Sequence, residues 1–290
     1  MRFLLLFLFL YLSVFAQEES KKAGLEKMIQ AKVSLQSTYL SEAKLDGYEG
    51  SAKVDKNRVS INNKIIGFSY TNWGFDWNNL NDLPFGNGVD KPIEQMHSFR
   101  LNANIPYFVD ENLFILTSLS VKSTFEAESS DSYGAGFFSF ASYKVDEEHA
   151  IQFGFFANYH PISTLAMPVI SYSYRAKESD GFKFIFGYPR TYVGYHVDRK
   201  ILLRYGVVFS QSVIRLSDLS AIESSGFIEA KDYMSNVGIS YELNPSFSIE
   251  SDLLYSLKRD FIIYSKDGDE LDTHSIEPSF GVNFKITYLF

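Results

Sequence analysis

The residues from Phe280 to Phe290 alternate without interruption between large apolar side chains and smaller or polar ones. This period of two predicts a β-strand, because successive side chains of a strand point to opposite faces. One face carries only large or β-branched residues, namely Phe280, Val282, Phe284, Ile286, Tyr288 and Phe290. The sequence therefore predicts a closing strand whose two faces meet different surroundings.

This segment resembles the carboxy-terminal assembly signal of bacterial outer-membrane proteins, which has alternate apolar residues and a final aromatic residue. The resemblance implies that the barrel-assembly machinery is a partner during biogenesis. It also implies that the apolar face of the strand meets outer-membrane lipid.

The same alternation recurs upstream. Examples are the runs Ile201 to Phe209, Tyr233 to Leu243, Leu113 to Val121 and Ile151 to Tyr159. Each run is about as long as a tilted membrane strand requires. We therefore expect an all-β protein, a transmembrane antiparallel up-and-down β-barrel.

Short and long connections alternate along the chain. The short ones are Asn62-Asn63, Val109 to Asn112, Asp146 to Glu148, Lys177 to Gly181, Asp198 to Lys200 and Asn244 to Ser246. The long ones are Trp77 to Glu94, Glu126 to Ser132, Pro161 to Met167, Ser217 to Ala230 and Ser265 to Ser275. Outer-membrane barrels have short periplasmic turns and longer outside loops.

Counting strands between these connections predicts about fourteen, with both termini in the periplasm. The weakest parts of the count are the first hairpin, Ile29 to Ile61, and the short pair Phe182 to Tyr188 and Thr191 to Val197. Losing one hairpin would leave twelve strands, which is the alternative.

Residues 1–16 have the pattern of a secretory signal peptide, with Arg2 followed by a run of Leu and Phe up to Val14. The alternative, a membrane-anchoring helix, would rise only about 18 Å against a hydrocarbon core of about 30 Å. We expect residues 17–28 to be a short periplasmic lead and 29–290 to be the barrel. The expected location is the outer membrane of a Gram-negative bacterium.

Composition agrees with this class. The aromatic fraction of 17% is high for a soluble domain and ordinary for a barrel with aromatic girdles. The chain has no cysteine, so no disulfide is available, and its net charge of −8 argues against a nucleic-acid partner.

The middle of the chain, including Phe186-Gly187-Tyr188-Pro189-Arg190-Thr191, resembles uncharacterised outer-membrane barrel families assigned only as domains of unknown function. This resemblance implies the barrel architecture and carries no functional residues.

Charged residues on the polar faces of the predicted strands are candidates for the lumen. The basic ones are Arg100, Lys122, Lys144, Arg175, Lys183 and Arg204, and the acidic ones are Asp232, Glu242, Glu250 and Asp252. Because the two signs fall on different strands, they could set a transverse field that selects solutes by charge. The alternative is that they pair across strands and fill the interior.

Other chemistry has weaker support. His274 has Asp272 and Ser275 beside it, but adjacent residues of an extended chain point to opposite sides. The carboxylates from Asp267 to Asp272 do not have the spacing of an EF-hand calcium loop. We therefore assign no catalytic, cofactor or metal residues.

The segment from Trp73 to Phe85 is rich in aromatic residues and contains two tryptophans. Trp73 could belong to an aromatic girdle, and Trp77 could pack a loop. With Phe75 and Phe85 they could instead form a surface that stacks on carbohydrate.

The leading functional hypothesis is a passive, porin-like channel for small hydrophilic solutes, whose identity the sequence does not supply. The alternative is a structural or adhesive surface protein with a plugged lumen, which would bind a partner through the loop from Trp77 to Glu94. A third hypothesis, an outer-membrane hydrolase centred on His274, has the least support.

Overall fold

The computed structural model describes residues 30–176, 181–188 and 190–290. The predicted signal peptide, the periplasmic lead and most of the turn at 177–181 lie outside these residues. Fifteen strands and one short 3₁₀ helix, Leu80–Asp82, make up the described elements. Among the described residues, no helix is long and apolar enough to cross a membrane.

The strands are numbered in chain order. They are β1 Lys32–Lys44, β2 Ser51–Asn62, β3 Ile66–Asn78, β4 Gln95–Phe108, β5 Leu113–Phe125, β6 Tyr133–Lys144, β7 His149–Tyr159, β8 Leu165–Arg175, β9 Gly181–Gly187, β10 Arg190–His196, β11 Ile201–Arg215, β12 Phe227–Asn244, β13 Phe247–Tyr264, β14 Glu270–Ile276 and β15 Phe280–Leu289.

Each strand pairs antiparallel with its neighbours, and the sheet closes on itself where β1 pairs with β15. In that seam Lys32 lies opposite Leu289, and Leu40 lies opposite Gly281. Both β14 and β15 pair with β13, so together they form one last strand, interrupted at 277–279. The barrel therefore has fourteen strands, which confirms the prediction and rules out twelve.

The predicted loop Ser265 to Ser275 was wrong in one respect, because most of it is strand β14. Its sequence Glu270–Ile276 is acidic and polar and has no apolar alternation, so the sequence carries no strand signal. The segment is held as a strand by pairing with the long strand β13, where His274 lies opposite Phe261.

Both ends of the barrel chain lie at the end with the short turns, which we call the short-turn end. There the Phe290 N–H donates to the Ala31 carbonyl at 2.8 Å. The opposite end carries the longer connections, except for the two-residue connection between β9 and β10, and is called the long-loop end. The alternation of short and long connections agrees with the sequence prediction.

Three of the short turns share one local device. Asp110, Asp146 and Asp198 each accept backbone N–H groups from the residues two and three positions on, at 2.7–2.9 Å. This Asx-type turn satisfies backbone donors that the strand ladder leaves free. The hydrogen bond from the Glu148 backbone lowers the pKa of Asp146, which stays ionised in this role.

The outer face of the barrel is apolar. In the closing strand Phe280, Val282, Phe284 and Tyr288 are exposed, whereas Gly281 and Asn283 of the alternate face are buried. Exposed Leu, Val, Ile, Phe and Tyr residues recur in the same alternation along nearly every strand. A continuous apolar surface of this kind is suited to hydrocarbon and not to water.

The barrel narrows towards the long-loop end. Strands β9 and β10 have seven residues each, whereas β11 has fifteen and runs past them. Its last residue, Arg215, pairs in parallel with Phe125 of β5, and the Glu126 N–H donates to the Arg215 carbonyl at 2.9 Å. Above the short strands, β5 therefore meets β11 directly.

The mouth at the long-loop end is filled by apolar side chains. One cluster contains Ile93, Met96, Ile214, Leu216 and Ile228, and the other contains Leu45, Trp77, Phe85 and Ile263. The connection between β3 and β4, called the mouth loop, contributes Phe85 and Ile93 to these clusters. It is held by the Trp77 indole N–H, which donates to the Ile93 carbonyl at 2.7 Å.

This packing predicts a measurable stability difference between two residues of the same region. Ile228 is 0% exposed, so Ile228→Ala leaves a cavity and should cost about 2–5 kcal/mol. Leu219 is 92% exposed, and Leu219→Ala should leave stability unchanged. Urea unfolding midpoints of the refolded barrels measure both, and equal midpoints would contradict the packing of the mouth.

Candidate functional site in the barrel lumen

The narrower part of the barrel encloses a cavity of about 500 Å³, called the main cavity. Its lining residues come from β1 to β5 and from β11 to β15, together with Leu45, just after β1, and Phe85 of the mouth loop. Towards the mouth the lining is apolar and includes Leu40, Phe75, Ile214 and Phe261. On β3 the alternation is reversed here, because Phe75 faces inward while its polar neighbour Asp76 is exposed.

Five cations line the same cavity, and the four that lie on β2, β4 and β5 are called the cationic cluster, whereas the fifth, Arg259, lies on β13. The cluster consists of Lys56, Arg58, Arg100 and Lys122. Lys56 and Arg58 are two residues apart on one strand and so share a face. Arg100 lies directly opposite Lys122 in the ladder. Like charges in directly opposite positions are unfavourable in a sheet.

The cluster is held by neutral partners. The ammonium group of Lys56 lies 5.0 Å from the centre of the Trp73 ring. Arg58 Nη2 donates to Ser69 Oγ at 3.1 Å, and Lys122 Nζ donates to Ser212 Oγ at 2.9 Å. Among the described residues, no ion pair within 4.0 Å involves any of the four cations. None of the four cations therefore has a carboxylate at ion-pair distance in the described part of the chain.

The acidic residues across the lumen are neutralised. Arg204 bonds to Glu250 at 2.6 Å and to Asp252 at 2.9 Å. Lys285 reaches Glu250 at 2.8 Å. We call these four residues the ion-pair network.

Asp232, unlike Glu250 and Asp252, lines the main cavity, and it is also paired with a cation. Its carboxylate accepts a hydrogen bond from Arg259 Nε at 2.9 Å. Three inward carboxylates, Asp232, Glu250 and Asp252, thus face three cations, and this wall contributes no net charge.

The structure separates the ten candidate lumen charges into groups. Arg100 and Lys122 belong to the cationic cluster, while Arg204, Glu250 and Asp252 belong to the ion-pair network. Lys183 lies 5.8 Å from the ring centre of Tyr192. Lys144, Arg175 and Glu242 are exposed near the short-turn ends of their strands and join neither group.

Sequence reasoning missed Lys56, Arg58, Arg259 and Lys285. Lys285 sits on the polar face of the closing strand and could have been found from its alternation. In β2 the run Asp55-Lys56-Asn57-Arg58 is polar at every position, so the sequence does not indicate which face is inward.

A second, smaller chamber of about 50 Å³ lies beside the main cavity, between β5, β7 and β11. Arg100 and Lys122 line both spaces. His160, just beyond the end of β7, also lines the chamber. Burial lowers the pKa of His160 to about 4, and the charge of Lys122 adds to the effect. The imidazole is therefore neutral at neutral pH.

The residues around His274 do not form a nucleophile and base. His274 Nε2 lies 3.2 Å from Asp272 Oδ2, at an angle that does not make a hydrogen bond. Ser275 Oγ donates to Asp260 at 2.9 Å. The His274 ring packs against Phe85, 5.6 Å between centres.

Several carboxylates lie close together in sequence from Asp267 to Asp272. Within residues 30–176, 181–188 and 190–290, no group of three or more His, Asp or Glu side chains could hold a metal ion.

The aromatic residues of the Trp73 to Phe85 segment face inward. Trp73 lines the main cavity, so its assignment to an outer girdle was wrong. Trp77 packs the mouth loop, as one of the sequence interpretations had it. Phe85 lies 5.8 Å from Trp77 and 5.7 Å from Phe261, between ring centres. These rings are not available to stack on carbohydrate outside the barrel.

No family model matches the sequence, and the search of curated proteins found no match. Among solved structures, the chain is similar to a KdgM porin in complex with disordered oligogalacturonate. Identity is 10%, the TM-score is 0.39, and 89% of this chain and 99% of that chain are covered.

Two further structures are similar over comparable lengths. The NanC porin has 9% identity and a TM-score of 0.43, covering 88% of this chain and 98% of that chain. The outer-membrane protein Omp33 of Acinetobacter baumannii has 10% identity and a TM-score of 0.38, covering 90% and 98%.

The ion-pair network predicts a large effect of removing its arginine. Arg204→Gln leaves Asp252, whose side chain is 7% exposed, without its cation and should destabilise the barrel by about 3–5 kcal/mol. The matched control is Lys44→Gln, which breaks an exposed pair with Glu49 and should leave stability unchanged. Urea unfolding measures both, and similar midpoints would mean that the network does not support the barrel.

Proposed function

We propose that this chain is an outer-membrane β-barrel that works as a passive channel and favours anions. The observation that carries the proposal is the cationic cluster, four basic side chains on one wall of the lumen, none of which has a carboxylate at ion-pair distance among the described residues. The opposite wall is neutral, so the lumen has a surplus of positive charge.

Charges inside a narrow, low-dielectric wall act at long range because water screens them poorly. A ring or patch of one sign raises the local concentration of counter-ions and excludes ions of the same sign. The cationic cluster would act in this way on anions that pass along β2 to β5.

The apolar outer face supports a membrane position, since only lipid tails would meet so many exposed apolar side chains without penalty. In this proposal the short-turn end faces the periplasm and the long-loop end faces the outside.

The mouth loop would then regulate access. Because Phe85 bridges Trp77 and Phe261 across the mouth, a solute from outside would pass only when the loop moves. The loop would therefore act as a gate whose closed state is held by apolar packing.

The filled mouth also favours a second candidate, a surface protein with a plugged lumen. Its partner-binding site would have to use other parts of the loop, because Phe85 and Trp77 are buried. Val89 is 77% exposed and is one such part.

Charge selectivity provides the first test. In planar bilayers under a KCl gradient, the reversal potential of the wild-type barrel should indicate preference for chloride. The double change Arg58→Gln with Arg100→Gln should shift it towards potassium. Lys53→Gln is the control, because Lys53 lies on the opposite face of β2 and pairs with Asp76 at 3.7 Å.

If the refolded wild-type barrel shows no conductance step, and the gate variant described next shows none, the channel proposal fails and the plugged surface protein is favoured. An unchanged reversal potential in the double variant would reject anion selectivity by this cluster.

Gating provides the second test. Phe85→Ser removes the ring that bridges the mouth and should increase the fraction of time that the channel is open in single-channel recordings. Val89→Ser alters an exposed side chain of the same loop and should leave that fraction unchanged. Equal open fractions in the two variants would contradict a gate at Phe85. Heat-modifiable gel migration verifies folding.

A further inference from the structure

Three buried hydrogen-bond donors of the main cavity have no protein acceptor. They are Arg58 Nε, Trp73 Nε1 and Arg259 Nη2, and all three residues line the cavity. Buried donors are almost always paired, so each orphan needs an explanation. A fourth orphan atom of the lining, Gln211 Oε1, is an acceptor. The other three are donors, and two of these donors belong to cations. A ligand with acceptor oxygens and a negative charge would satisfy them.

The rest of the cavity has the opposite character. Beside the orphan indole of Trp73 lie Phe75, Met96, Ile214 and Phe261, which have no charge to offer a solute. These apolar side chains continue into the clusters of the mouth. A small, fully hydrated anion would contact the cationic cluster but leave this apolar wall uncovered.

The lining of the cavity therefore changes from apolar to charged along the barrel axis. Its mouth side is apolar, and Lys56, Arg58 and Arg100 lie towards the middle of the barrel. Its volume of about 500 Å³ falls within the range of about 300–1,000 Å³ that is usual for small-molecule sites.

We propose that the main cavity is a binding site for an amphipathic anion, a molecule with one acidic group on an apolar body. The acidic group bonds to Arg58 and the neighbouring cations. The apolar body lies along Trp73, Phe75 and Phe261. This inference rests on the proposed channel and names a solute class for it.

Charge and apolar contact contribute separately to the free energy of binding. The proposed site can therefore be distinguished from a site for a neutral hydrocarbon and from a site for a small anion. A neutral hydrocarbon would leave the four cations without a counter-charge and the orphan donors without acceptors. An anion such as acetate would gain the cations but not the apolar burial, which is worth about 0.8 kcal/mol for each buried methylene group.

Equilibrium dialysis with radiolabelled octanoate, on the full barrel refolded into zwitterionic nanodiscs, tests the site. Octanoate should bind saturably, about fifteenfold more tightly than hexanoate, from two methylene groups at about 0.8 kcal/mol each. Acetate should not bind measurably. Octanol should bind at least tenfold more weakly than octanoate, because it offers no charge to the cluster.

Variants locate the acidic group. Arg58→Gln should weaken octanoate binding about tenfold, because a hydrogen bond to a charged group is lost. Lys53→Gln, on the other face of the same strand, should bind octanoate as the wild type does. Equal weakening by both changes would mean that octanoate responds only to the net charge of the barrel, and it would overturn the proposal.

Fluorescence locates the apolar body. The chain has two tryptophans, so Trp77→Phe leaves Trp73 as the only indole. Saturating octanoate should change the emission of Trp73 with the same midpoint as in dialysis. If dialysis shows binding but Trp73 emission does not change, the ligand lies elsewhere and the proposal is wrong.

The two proposals fail separately. Conductance without saturable octanoate binding would overturn the amphipathic-anion site and leave the channel intact. Saturable binding without conductance, in the wild type and in Phe85→Ser, would support the site and reject the channel.

Discussion

The pairing of β1 with β15 is the constraint on which the rest of this structure depends. A sheet surrounded by hydrocarbon cannot leave an edge, because an unpaired backbone N–H or carbonyl has no water to bond there. Closing the ladder from Lys32–Leu289 to Leu40–Gly281 removes both edges at once. Closure also divides every strand into an inner and an outer face. The apolar outer face, the lumen and the alternation of turns and loops all follow from that division.

Inside the barrel, unequal strand lengths divide the space. Because β9 and β10 are short, β11 can reach β5, and the long-loop end forms a narrower ring. That ring brings the inner faces of β2 to β5 close to those of β11 to β13. The ion-pair network lets carboxylates from β13 remain charged near the closing strand, while the cationic cluster is left without carboxylates. The lumen thus carries a net charge on one wall only, and the mouth loop covers the lumen with apolar side chains.

Much of this architecture could be predicted. The period of two in the closing strand, with Phe280 and Phe290 at its ends, is a local property, and the outer face of that strand is as expected. The predicted count of fourteen strands is confirmed, including the two hairpins for which the sequence pattern was weakest. Strand β14 was missed because its acidic sequence has no alternation, and only the partner strand β13 holds it. Arg204, Glu250 and Asp252 were identified as inward, but their pairing depends on distances between strands far apart in sequence.

The sequence by itself determined which residues face outward on each strand and which end of the barrel carries the short turns. It could do so because side-chain alternation and turn length are encoded within about ten residues. What only the tertiary structure decided is the content of the lumen. Lys56 and Arg100 share a cavity through ladder register, and Trp73 faces inward although its sequence neighbours are compatible with a girdle. The mouth loop folds into the barrel because Phe85 packs against Trp77 and Phe261 there. Such contacts depend on the closure and narrowing of the whole sheet, which no local pattern encodes.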